Sequence, residues 1–132
     1  MIAYCEVVDV KDLTPLVLPG WTEPPSISWP AVSGPHGKGA LPDGWYYLTG
    51  EEKPVKSEAN SMTDTCENKN TYKFRLHPQF DTDRDGLLIH PDGGPPGTAG
   101  CIGATGCTQT LRDFINRQIK NSIGGQIPVL VR

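Results

Sequence analysis

No apolar run in this chain approaches the ~20 residues needed to cross a bilayer, so no membrane-spanning helix is expected. Runs of Lys or Arg are missing, and 12 basic against 15 acidic residues give a formal net charge of −3. The electrostatic footprint of a nucleic-acid binder is therefore absent. The opening residues MIAYCEVVDV have neither a basic n-region nor an apolar h-region, so no signal peptide is visible. The expectation is a protein made in the cytoplasm, one exported without a cleaved signal, or a trimmed chain. No C-x-x-C pair occurs among Cys5, Cys66, Cys101 and Cys107. Cys5 and Cys66 are candidates for a disulfide in an oxidising compartment, but four cysteines allow three full pairings and spacing selects none.

Glycine and proline are plentiful: 15 and 13 of 132 residues. That favours many short elements joined by turns, and the length suits one domain over residues 1–132. Residues 2–10, rich in β-branched side chains, read as a strand, with Val17 and Leu18 a short second one. Ile27, Trp29, Ala31 and Val32 suggest a brief edge strand across Pro30. Residues 33–44 are dense in turn formers, 45–49 (WYYLT) form a strand, and 50–70 are polar and read as a surface loop with little structure. In 71–76, Tyr72, Phe74 and Leu76 alternate onto one face of a half-buried strand. Residues 87–90 (LLIH) form a short strand and 91–100 a Gly/Pro loop. One helix is predicted near 109–123: Thr108 or Thr110 caps it, and Leu111, Phe114, Ile115, Ile119 and Ile123 recur at helical spacing. Gly124 and Gly125 stop it, and 126–131 close the chain as a strand. The predicted fold is mainly β, a small sandwich or open barrel with one helix near the C-terminus.

The chemistry concentrates in residues 84–105, RDGLLIHPDGGPPGTAGCIGAT. A histidine ends a strand, a flexible loop follows, and Cys101 follows two small residues. Thiolate is the nucleophilic form of cysteine, and a neighbouring imidazole activates a thiol by lowering its pKa or taking its proton. Gly100 admits close approach to the backbone. Backbone N–H groups near Gly100 and Cys101 are candidate oxyanion donors. Cys101 is thus the candidate nucleophile and His90 its base.

The segment IHP…GTAGCIG resembles the signature of the L,D-transpeptidase catalytic domain, the YkuD-type fold, in which a histidine and a spacer precede Ser-His-Gly-Cys, an aliphatic residue and often Arg. His90, Gly100, Cys101 and Ile102 match, and Thr98 stands at the Ser position. WPAVSG, then ALPDGWYYL, then a helix and GGQIPVLV also resemble that family, over residues 27–131. The likeness is greatest to short type VI secretion effectors that attack peptidoglycan. It departs at Ala99 and Gly103, where the family commonly has His and Arg. The resemblance implies cysteine-dependent acyl transfer or hydrolysis on peptidoglycan stem peptides without a cofactor. It also implies action in the periplasm of a target bacterium and a cognate immunity protein as partner. Thr98 and Gly100 are then oxyanion or positioning residues. Arg84 is the first choice, and His77 a further candidate, for substrate binding, with Arg75 and Arg112 as other possible carboxylate partners.

Other chemistries also fit parts of the chain. Asp81, Asp83, Asp85 and Gly86 match the opening of an EF-hand loop, with Asp92 at its twelfth position. A calcium- or cell-wall-binding module without catalysis is therefore the alternative. An acidic solvated loop accounts for the same residues, since no helix pattern flanks them. His77, His90, Cys101 and Cys107 fit no standard zinc spacing. Trp21, Trp29, Trp45, Tyr46 and Tyr47 suit either a groove or a core. Cys107 suits a buried structural role or a resolving thiol.

Overall fold

The structure, a computed structural model, describes residues 5–6, 27–94 and 97–132. It is a single curled sheet with one helix against its concave core. In chain order the elements are β1 (Cys5–Glu6), β2 (Ala31–Ser33), β3 (Gly44–Glu52), β4 (Lys73–Pro78), β5 (Leu88–Pro91), β6 (Ile102–Ala104), α1 (Gln109–Lys120) and β7 (Gln126–Val131). Across the sheet the order is β1-β7-β3-β4-β5-β6-β2. β1–β7 and β5–β6 run parallel, and the other neighbours antiparallel. The mainly β fold expected from the sequence is present, as an open half-barrel rather than a sandwich. Most of the strand expected over 2–10, and all of that at Val17 and Leu18, lies outside the described residues.

Alternation along the strands makes the two faces. Tyr46 and Leu48 of β3, Phe74 and Leu76 of β4, Ile89 of β5, Ile102 and Ala104 of β6, and Ile127 and Val129 of β7 form one buried cluster. Leu111 and Ile115 of α1 close it, with Phe114 and Ile119 packed at its margin. The opposite phase carries Trp45, Tyr47 and Thr49 on β3, Lys73, Arg75 and His77 on β4, and Leu88 and His90 on β5.

A register shift between Leu48 and Glu51 sets which glutamate goes where. Before it Leu48 pairs with Leu76; after it Glu51 pairs with Phe74 and Glu52 with Lys73. One extra residue inverts the phase of the strand end. Glu51 therefore turns to the helix side, where Arg112 grips it through Nε (2.6 Å) and Nη2 (2.9 Å). Glu52 turns to the other face.

Several expectations need correction. Residues 50–70 are not structureless. β3 continues to Glu52, a 3-10 turn forms at Ala59–Met62, and Met62, Asp64 and Asn70 are buried. The cause is Asp64, which organises the loop as a polar acceptor rather than as an apolar residue. Its carboxylate accepts from the N–H groups of Cys66 (3.3 Å), Asn70 (3.1 Å) and Thr108 (3.0 Å), from Asn70 Nδ2 (3.0 Å) and from Thr108 Oγ1 (2.9 Å). Thr108 sits at the helix N-cap, but its hydroxyl goes to Asp64 and makes no cap bond. Cys66 pairs with Cys107, not with Cys5, their Cα atoms 5.2 Å apart. Cys107 is exposed, so its structural role is covalent rather than as a buried apolar residue. The helix ends at Lys120, before Ile123, which is 89% exposed: the Ser122 N–H and hydroxyl both donate to the Ile119 carbonyl, tightening and closing the last turn. β2 begins after Pro30 rather than across it.

Burial alone would raise the Asp64 carboxyl, but the hydrogen bonds from Thr108 and Asn70 outweigh it and hold the group below its ordinary value. A depressed folded pKa means that this stabilisation is present above the ordinary carboxylate value and is lost as pH falls through the lowered one. Asp64→Ala leaves buried N–H groups without acceptors and should cost about 3 kcal/mol in urea unfolding. The disulfide closes a sequence separation of 41 residues, worth about 4 kcal/mol in the chain-entropy account. Reduction, or Cys66→Ser with Cys107→Ser, should lower Tm by about 10 °C; an unchanged melt would show that the tie does not constrain the unfolded chain.

Candidate active site

Cys101 stands immediately before β6, where the Gly/Pro loop meets the sheet. Its backbone is held by its own carbonyl oxygen, which accepts from Ser33 Oγ (2.8 Å) and from the Thr98 hydroxyl. Each hydroxyl is itself fixed. Ser33 Oγ accepts from the Leu41 N–H at 2.8 Å, and Thr98 Oγ1 from the N–H groups of Gly34 (3.2 Å) and Gly100 (3.3 Å). Thr98 is buried, and its backbone bonds to Gly34 and His36. Threonine at the Ser position of the resembled motif is thus a positioning residue. The Gly100 N–H points at Thr98 Oγ1, so it is not a free oxyanion donor. Gly100 has φ +127°, and a Cβ there would come 2.1 Å from Arg84 Nη2; only glycine fits beside Cys101.

The parallel register of β5 and β6 pairs Ile89 with Ile102 and His90 with Gly103. Cys101 precedes the paired residues of β6, and extending the register by one residue sets it beside Leu88, about 8 Å from the His90 Cα. The expectation of a His90–Cys101 hydrogen bond is not met: Cys101 Sγ lies 3.6 Å from the Gly86 carbonyl oxygen instead. His90 is buried, and its Nδ1 is 2.7 Å from the Pro91 carbonyl oxygen. A carbonyl only accepts, so Nδ1 carries the proton and Nε2 keeps its lone pair. The ring is set in the tautomer a base requires.

Burial pushes the His90 imidazole below its ordinary pKa, against the Pro91 bond and the charges of Asp92 and Glu58. Burial also pushes the half-buried Cys101 thiol up, with Glu58 acting in the same direction; the Leu88 N–H and the Arg84 and Arg75 guanidinium groups pull it back only in part. At neutral pH the resting pair is a thiol and a neutral imidazole, not a thiolate–imidazolium pair.

The remaining candidates divide. Arg84 lies beside Gly100, but its guanidinium donates to the carbonyls of Gly39 (3.1 Å), Ala40 (3.3 Å) and Lys38 (3.4 Å). It ties the 38–40 turn to the loop before Cys101 and is not presented to a carboxylate. His77 does not reach His90, whose β4 neighbour is Lys73, four residues or about 13 Å away. His77 is exposed, its Nε2 3.0 Å from Thr49 Oγ1. Arg112 is on the helix side with Glu51, its guanidinium 5.1 Å from the Tyr72 ring centroid.

The sequence did not point to Glu58, Lys73 and Glu52. Lys73 is buried opposite His90 and pairs with Glu58 at 2.8 Å; Arg75, in the row of Leu88 and Cys101, pairs with Glu52. The calcium and zinc alternatives are not supported. Among the described residues no three His, Cys, Asp or Glu side chains converge as a metal ion requires. Asp83 faces Lys38 at 3.8 Å, Asp92 accepts from the Gly97 N–H, and Cys107 is oxidised. No described helix is long and apolar enough to cross a membrane. Comparison with known protein families, curated proteins and solved structures finds no match.

Alkylation by iodoacetamide requires thiolate. Cys101 should react more slowly than free cysteine at pH 7.5, and its rate should keep rising above the pH at which free cysteine levels off. Peptide mass mapping separates Cys101 from Cys5. A rate equal to or above that of free cysteine at pH 7.5 would refute the raised thiol.

Proposed function

We propose that this protein is a cysteine-dependent enzyme of L,D-transpeptidase type, acting on peptidoglycan stem peptides. The observation that carries the proposal is the closeness of Cys101, just before β6, to His90 on the adjoining β5, with His90 Nδ1 anchored on Pro91 and Nε2 left basic. The motif likeness of IHP…GTAGCIG supplies the substrate class.

In the proposed reaction His90 Nε2 takes the Cys101 proton as Sγ attacks the carbonyl carbon of the stem-peptide residue, meso-diaminopimelate, in its bond to D-Ala. A tetrahedral oxyanion forms. Its collapse breaks the C–N bond, and the leaving amine takes the proton from His90, leaving a thioester on Cys101. Water then releases the acid, which is carboxypeptidase or endopeptidase action. Alternatively, an amine such as a D-amino acid takes the acyl group, which is exchange or cross-linking. The groups used are those of the chain alone.

The Cys66–Cys107 disulfide suits an oxidising compartment, in keeping with a type VI secretion effector that acts in the periplasm of a target bacterium and is neutralised by an immunity protein in its producer. A second reading, a non-catalytic cell-wall-binding module on the same fold, is favoured by the unmade His90–Cys101 hydrogen bond.

Purified muropeptides incubated with the protein and analysed by mass spectrometry decide between them. Loss of terminal D-Ala, or its exchange for an added D-amino acid, is expected with the native protein and absent with Cys101→Ala. His90→Gln should slow turnover at least about 100-fold, the usual scale of a lost general base. Unchanged muropeptides with the native protein, cross-linked substrates included, would leave the binding module as the surviving reading.

A further inference from the structure

Arg75 is the cation that the sheet presents to Cys101. The register pairs Arg75 with Leu88, and its extension by one residue brings Cys101, just before β6, to the other side of Leu88. Two strand spacings separate Arg75 from Cys101, about 9.6 Å at Cα. Glu52 takes the Nε and Nη2 edge of the guanidinium, each at 3.1 Å. Arginine has five N–H donors and two edges that match a carboxylate. The second edge, Nη1 with the remaining Nη2 hydrogen, has no acceptor among the described residues. The side chain is 36% exposed. Glu52 therefore holds one edge of the guanidinium and leaves the other, carboxylate-shaped edge open, with the charge felt electrostatically at Cys101.

No cation can occupy the equivalent place on β6. At Gly103 a Cβ would come 2.9 Å from Asp92 Cβ and 3.0 Å from Thr98 Cγ2. Arg84 is closed off by its three carbonyls. Lys73 is buried against Glu58.

We propose that Arg75 determines substrate specificity by receiving the terminal carboxylate of a peptide whose chain ends one or two residues beyond the carbonyl attacked by Cys101. The separation fits, since each extended residue spans about 3.5 Å. Such a requirement selects removal of a C-terminal residue over cleavage within a cross-link. For the identity of the peptide the proposal rests on the reaction above, but the carboxylate site itself does not.

Cys101 can report on that site without any turnover. Iodoacetate and iodoacetamide deliver the same carbon to sulfur with loss of iodide, and differ in carrying a carboxylate or a neutral amide. The iodoacetate-to-iodoacetamide rate ratio at Cys101, read by peptide mass mapping, should exceed that of free cysteine by about tenfold, the scale of one charge-assisted hydrogen bond. Arg75→Gln should return the ratio to the free-cysteine value. Glu52→Gln, which removes the competing negative charge, should raise it above wild type. A merely structural ion pair would move both variants the same way. Arg75→Lys keeps a charge without the fork and should fall between wild type and Arg75→Gln, which covers the case in which Arg75→Gln fails to melt cooperatively. An Arg75→Gln ratio equal to wild type, or a joint fall in both variants, overturns the proposal. In muropeptide turnover, Arg75→Gln should raise KM about tenfold for stems with a free C-terminal carboxylate and leave amidated stems unaffected. Turnover with an unchanged KM would sink the Arg75 assignment and leave the reaction standing. A wild-type protein that ignores muropeptides but shows the alkylation preference would do the reverse.

Discussion

Two hydroxyls, those of Ser33 and Thr98, meet at the carbonyl oxygen of Cys101, and the geometry of the candidate site hangs from that meeting. A strand of three residues is a weak anchor for Cys101, because its ladder offers few hydrogen bonds. Here the missing restraint comes from side chains. Ser33 belongs to β2, which pairs with β6 just beyond Cys101, and Thr98 belongs to the loop that enters it. The 34–36 turn in turn bonds to Thr98 through both backbone groups. Three segments distant in sequence thus fix one peptide plane, and the thiol direction follows.

The other organising constraint is the division of the sheet into two faces. The core phase is almost wholly apolar, and the opposite phase gathers Lys73, Arg75, His77 and His90 with Glu52 and Glu58 brought to them. A buried lysine needs a paired anion, and Lys73 has one in Glu58, whose carboxyl is held below its ordinary range first by the Lys73 hydrogen bond. That carboxylate also reaches electrostatically to His90 and Cys101. The loop bearing Glu58 is fixed through Asp64 and the disulfide, so an element that looks like surface decoration sets the charge around Cys101.

How far the sequence disclosed this depends on the kind of interaction. The strands at WYYLT, TYKFRL and LLIH and the helix were legible because apolar periodicity is local. The alternation that placed Tyr72, Phe74 and Leu76 in the core also carried Lys73, Arg75 and His77 to the other face, but their significance needed the β4–β5–β6 register, which is non-local. Arg84 is close to His90 in sequence, yet its guanidinium is tied to carbonyls 44 to 46 residues away. Asp64 and the Cys66–Cys107 pairing had no local signal either. Cys101, His90, Thr98 and Gly100 were legible because they fall within one short segment.

The extra residue in β3 has one more effect. Residues 51 and 52 are both glutamate, so a slip of one position at this strand end exchanges two identical side chains. With the bulge, Glu51 meets Arg112 and Glu52 meets Arg75; without it, the two would trade partners. Either alignment gives each arginine an acid. The doublet makes the end of the strand electrostatically degenerate, and side-chain packing alone is left to choose the alignment. Insertions and deletions of a single residue at this edge would then alter the shape of the sheet while conserving the charge on both of its faces.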